Sequence, residues 1–149
     1  MYKTILLLLL AISSCGTPKS TDSKEPPSTN TSETAIENGT FSIQLGDQIT
    51  SGNLILHFKE VLEDSRCPTG TTCIWQGRAK LLVEVSEAGQ ETRQSEIIFG
   101  ELHSGEQKNH VFFQNDRQTV TAIAIRPYPT EASGTTGLPY ELDVEITIQ

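Results

Sequence analysis

The sequence predicts an all-β fold: an antiparallel β-sandwich of Ig-like type or a small barrel of about seven strands, after a signal peptide and a disordered linker. Three observations carry this expectation. Apolar and polar residues alternate at period two in several short windows, no window sustains a helical stripe, and Gly-, Asn- and Ser-containing turn signals separate the windows. The C-terminus is clearest, with Tyr140, Leu142, Val144, Ile146 and Ile148 on one face and Glu141, Asp143, Glu145, Thr147 and Gln149 on the other. That pattern is a half-buried strand, apolar inward and largely acidic outward.

At the N-terminus, Lys3 precedes an unbroken apolar run from Ile5 to Ile12, followed by Ser13, Ser14 and Cys15. This is the order of a secretory signal, residues 1–14. The run is too short to span a bilayer as a helix, which takes about 20 residues. The segment "ISSC", residues 12–15, resembles the lipobox of bacterial lipoproteins: an aliphatic residue, two small residues and a cysteine, with Ile12 where leucine is commonest. The resemblance implies cleavage before Cys15, a diacylglycerol on its sulfur and an N-acyl lipid on its new amino group. It also implies a domain outside the cytoplasm, held at the bacterial cell envelope by lipid. Gly16, rather than aspartate, follows Cys15 and favours the outer over the inner membrane. Two or three acyl chains, at roughly 0.8 kcal/mol per buried methylene, make a stable membrane anchor.

Residues 15–37 read as the lipidated cysteine and a flexible linker. The stretch after Cys15 is rich in Ser, Thr, Pro and charge, with Ala35 and Ile36 its only aliphatic residues, so burial cannot offset its ordering entropy. Its root-mean-square span is roughly 25 Å.

Residues 38–149 are the size of one domain with one core. Phe41, Ile43 and Leu45 alternate before the turn signal "GDQ". Leu54, Leu56 and Phe58 alternate next, although Phe58, Val61 and Leu62 show one turn of helical spacing. Ala79, Leu81, Val83 and Val85 form a further strand, with shorter candidates at Ser95–Phe99 and Val111–Gln114. "VTAIAI" from Val120 is apolar on both faces, as a central strand should be.

Two cysteines, Cys67 and Cys73, sit in "DSRCPTGTTCIWQG", residues 64–77. Outside the cytoplasm such a pair oxidises, so a disulfide is expected. A redox pair would have two intervening residues at a helix start, and a zinc site would need a second cysteine pair or paired histidines at finger spacing. Asp64 and Ser65 are suited to setting the turn, and Gly77 suits a bulge. Trp75, if in a strand, shares a side with Cys73 and covers the sulfurs as a core residue. Arg66 and Arg78 read as surface groups, replaceable by alanine without loss of stability. The alternative is a recognition surface of Arg66, Trp75, Arg78 and Tyr128 on the strapped loop. The pattern DSRCP…C-x-W-x-G resembles that of small all-β bacterial lipoproteins, which implies a fold unit and no activity.

The chain carries a formal net charge of −8, one unit more acidic once Lys3 leaves with the signal. Such a surface repels phosphate backbones, so no nucleic-acid partner is expected. There is no G-x-S-x-G elbow, H-E-x-x-H motif or Gly-rich phosphate loop, and no enzymatic activity is expected. "ELHSGEQKNH" holds Glu101, His103, Glu106 and His110, with His103 and His110 the weak metal candidates; no metal or other cofactor is expected beyond the lipid. The long connection "RPYPTEASGTTGLPYE" offers Tyr128 and Tyr140 as a second binding edge.

The expected role is a non-catalytic module that binds or scaffolds an envelope protein, peptide or glycan. The alternatives are a metal-binding envelope protein and a protease inhibitor presenting the 67–73 loop with Arg66 or Thr69 at the scissile position. Intact mass of membrane-extracted protein tests the anchor and the strap together. Residues 1–14 should be absent, acyl mass should sit on Cys15, and Cys67 and Cys73 should resist alkylation until reduced.

Overall fold

Period-two patterning becomes eight antiparallel strands in the computed structural model, which describes residues 38–149. The signal 1–14, Cys15 and the linker 15–37 lie outside the described residues. In order the strands are β1 (Gly39–Gln44), β2 (Gln48–Ser51), β3 (Leu54–Asp64), β4 (Arg78–Glu87), β5 (Arg93–Gly100), β6 (Val111–Gln114), β7 (Gln118–Arg126) and β8 (Glu141–Ile148). They form two four-stranded sheets, β2-β3-β4-β5 and β1-β8-β7-β6. The sheets do not close on each other, so of the two expected architectures the chain adopts the sandwich.

The core lies where the alternation placed it. Leu54, Leu56 and Phe58 of β3, Leu81, Val83 and Val85 of β4, and Ile97 of β5 face Val120 and Ala122 of β7 and Leu142, Val144 and Ile146 of β8. The eighth strand is β2, whose "QITS" carries one large apolar residue and no alternation to read. Leu45, expected inward on β1, falls after the strand and is 41% exposed.

Two irregular patterns have one cause. β3 shifts register against β4 between Phe58 and Glu60 and again between Val61 and Glu63. Each β-bulge adds a residue and resets the inward phase, and the result resembles helical spacing over Phe58, Val61 and Leu62. In β7 the register against β8 slips between Ala122 and Ala124, which turns Ile123 outward in an otherwise apolar run.

The sandwich has two unlike ends. At the near end the chain enters at Asn38, whose Oδ1 accepts a hydrogen bond from Ile148 N. The β2–β3, β4–β5 and β6–β7 hairpins turn there, and Asn53 and Asn115 both donate to Glu87 Oε1, tying the two sheets together. At the far end lie three long connections, 65–77, 101–110 and 127–140.

Candidate functional site

The far end is organised by two arginines. Beyond β3 and β4 the ladder continues, with Ser65 N bonded to Arg78 O and Cys67 N to Gln76 O, so the strapped loop grows directly from the sheet. Gly77 closes this ladder with φ +71°, and a Cβ there would lie 1.8 Å from Ser65 O. At the tip, Thr71 Oγ1 donates to Pro68 O, and Cys67 and Cys73 are joined by a disulfide, as the compartment argument expected. A loop of this length contributes about 2–2.5 kcal/mol in the chain-entropy account.

The strapped loop also docks on the connection that follows β7. Thr69 N bonds to Pro129 O and Glu131 N to Thr69 O, giving a parallel bridge between Thr69 and Thr130. Beneath the bridge runs Arg66. Its Nε and Nη2 meet Asp64 Oδ1 and Oδ2 at 2.8 and 2.6 Å, a two-pronged ion pair. Nη1 reaches Ile125 O and Nη2 also reaches Pro127 O, each at 3.1 Å, which fastens one sheet to the end of the other. The Tyr128 ring stacks on the guanidinium at 5.0 Å.

Tyr140, just before β8, completes this cluster. Its hydroxyl lies 2.6 Å from Thr135 O and 2.9 Å from Asp64 Oδ2, two acceptors for one proton. Burial, reinforced by the adjacent Asp64 carboxylate, raises the phenol to about 12.

Arg78 does for the 101–110 loop what Arg66 does for 127–140. Nε and Nη2 bond Glu63 Oε2, and Nη1 bonds Glu106 Oε2. Glu63 is held below the usual carboxylate range chiefly by Arg78. Glu106 is lowered first by the backbone N–H of His103 and then by Arg78.

Several expectations are corrected by this arrangement. Arg66 and Arg78 are not surface groups: they are 5% and 6% exposed, each neutralised by carboxylates. Trp75 is not core: it lies outside any strand, so sharing a side with Cys73 does not apply, and it is 68% exposed. Ile74 beside it is fully exposed, and Tyr128 is half-exposed. Tyr140, offered as a contact at the binding edge, is buried in the cluster instead. Arg66, buried and paired, cannot enter a protease specificity pocket.

The four candidate metal ligands of the 101–110 loop, Glu101, His103, Glu106 and His110, are not brought together. Glu106 faces Arg78 and Lys80, and His110 Nε2 meets Ile98 O with its ring 4.7 Å from Phe99. Among the described residues no group of three or more His, Cys, Asp and Glu side chains is placed to hold a metal.

Between the sheets, beside Tyr128, a mainly apolar groove of about 310 Å³ opens to solvent. Phe99 and Gly100 form one wall, Ile123 and Ile125 the other, and Arg66 and Tyr128 close one end. No alternation pattern marked it, because it exists only where β6 stops short of β7. Compared with known proteins, the chain matches no family model, no curated protein and no solved structure.

Arg66→Ala should destabilise the domain by about 3–5 kcal/mol, because it strands Asp64 as a buried unpaired charge. Arg66→Lys should recover only part of that, lacking the fork. Trp75→Ala should stay within about 0.5 kcal/mol of the parent, as exposed positions do. Urea midpoints of the three variants check this ordering.

At alkaline pH the sign follows from Tyr140. Its stabilising effect is complete below the ordinary tyrosine value of 10.0 and is lost as pH rises toward about 12, where the folded protein also ionises. Tyr140→Phe should flatten the fall in stability between those limits, read as melting temperature against pH.

Proposed function

We propose that the chain is a lipid-anchored lipoprotein of the bacterial cell envelope whose β-domain is a non-catalytic recognition module. The observation that carries this reading is the strapped loop. Ile74 and Trp75 stand in solvent on a loop that is disulfide-closed, bridged to its neighbour and seated on a buried ion pair. Large apolar side chains held outward on a rigid support are the usual anchors of a protein interface, since little entropy is lost when they dock. Half-exposed Tyr128 and the apolar groove beside it extend the same face.

The ladder puts that face at the far end of the sandwich, opposite Asn38. A tether through Cys15 and residues 16–37 would therefore present it away from the anchoring membrane. The acidic balance of the chain fits a soluble tethered domain and disfavours docking on anionic head groups.

Trp75 is the only tryptophan, so it reports on its own surface. Acrylamide should quench its emission strongly in purified protein, and a fraction of envelope extract holding the partner should shield it. Trp75→Ala should keep the parent melting temperature and lose capture of that component, and Tyr128→Ala, which also removes the ring stacked on Arg66, should lose capture while melting a few degrees lower. Quenching that no envelope fraction alters, with capture unchanged in both variants, would remove this face as the binding surface.

A further inference from the structure

The two halves of the strapped loop are held by different means. On the outgoing half, Cys67 N bonds to Gln76 O, Thr69 makes two backbone bonds to the 127–140 connection, and Thr71 N and Oγ1 both bond to Pro68 O. On the return half, among the described residues, the backbone of 72–75 makes no hydrogen bond to protein, and all four residues are exposed. Thr71 Oγ1 lies 3.6 Å from Cys73 Sγ, but its proton is directed to Pro68 O at 2.7 Å. The disulfide from Cys73 to Cys67 is therefore what holds the return half, and Ile74 and Trp75 follow it directly.

The sandwich itself does not lean on this bond. No side chain of the hydrophobic core comes from 65–77. The base of the loop is fixed by the Arg66–Asp64 pair and by backbone bonds through Ser65, Cys67, Gln76 and Arg78, none of which uses sulfur. A ring closed across a sequence separation of 6 also lies at the weak end of disulfide stabilisation.

Accessibility completes the case. Cys73 is exposed and Cys67 partly so, the setting in which a disulfide is open to thiol exchange. We infer that the Cys67–Cys73 bond is a redox switch on the recognition loop, opened by a dithiol reductant and closed again by a disulfide oxidant. The inference rests on the recognition reading above and names how that face is regulated.

The exchange runs in two steps. A reductant thiolate attacks Cys73 Sγ, the S–S bond breaks, and Cys67 leaves as a thiolate that takes up a proton. The reductant's second thiol then attacks the mixed disulfide and releases Cys73, which is protonated in turn. The protein gains two electrons and two protons, and the reductant becomes a disulfide. With the bond open, 72–75 has neither cross-link nor hydrogen bond, so Ile74 and Trp75 sit on a mobile segment that any partner must first order.

The test uses the full-length protein in detergent, oxidised, reduced and as the double variant Cys67→Ser, Cys73→Ser. Dithiothreitol and reduced thioredoxin should both open the bond in folded protein, read as alkylation of both cysteines by intact mass. The melting temperature should fall by about 10 °C or less. Nitrogen-15 order parameters of 72–75 should drop from about 0.85 to below about 0.6, while those of β3 and β4 stay in place. The double variant should match the reduced protein. An envelope component whose capture depends on Trp75 should bind the reduced protein roughly tenfold or more weakly, and oxidised glutathione should restore it.

Unfolding of the sandwich when the bond opens would make the disulfide a staple of the fold and overturn the switch. Order parameters of 72–75 that do not change on reduction, or a bond that neither reductant opens in folded protein, would overturn it as well. Capture that Trp75→Ala abolishes but reduction leaves intact would overturn the switch and keep the recognition reading. Capture of no component that depends on Trp75 would overturn the recognition reading, and the regulation with it.

Discussion

A guanidinium buried between two sheets must find an acceptor for each N–H group, and at Arg66 the acceptors come from separate pieces of chain. Four of its five donors are met: two by Asp64, the others by the carbonyls of Ile125 and Pro127. Taking both charges out of water costs several kcal/mol, which Coulomb attraction offsets only when the geometry is this complete. The net contribution of the pair to stability is therefore small. Its effect is positional: β3, the end of β7 and the start of β8 can meet in only one way if Asp64, Arg66 and Tyr140 are all to be satisfied.

Arg78 repeats the arrangement on the neighbouring loop with Glu63 and Glu106, and the two arginines flank the strapped turn. Asp64 and Glu63 are adjacent on β3, and adjacent strand residues point to opposite faces. One carboxylate thus serves the arginine between the sheets and the other the arginine outside. A single short run of β3 thereby pins two of the three long connections at the far end, 127–140 through Arg66 and 101–110 through Arg78, to the base of the strapped loop.

How far the sequence was legible depended on whether a residue obeyed a period. β3, β4, β7 and β8 were readable because each presents a continuous apolar face, and the edge strand β1 was readable from Phe41 and Ile43, but β2 was not, since its four residues carry one large apolar side chain and no alternation. The bulges of β3 mimicked helical spacing because an inserted residue resets the phase. The disulfide was legible from compartment and spacing. The exposures of Trp75, Arg66 and Arg78 were inverted, because residue type was weighed without partners. The signal that could have corrected it was Asp64 two residues before Arg66, within reach across one extended step, beside Glu63, whose carboxylate meets Arg78 fifteen positions on. The groove was not legible at all, since it arises from a difference in length between β6 and β7.

The inversion also explains how the far end can remain ordered while leaving aromatics outside. A loop cluster is ordinarily fixed by burying its largest apolar side chains, and those side chains are then lost to any partner. Here buried ion pairs, a disulfide and a backbone bridge do the fixing, and Ile74, Trp75 and half of Tyr128 are left in water. Exposing that much apolar surface gives the isolated domain no stability. Docked on a partner, the same surface would be buried from a support that is already ordered, so most of the burial would appear as affinity rather than being consumed in arranging the loop.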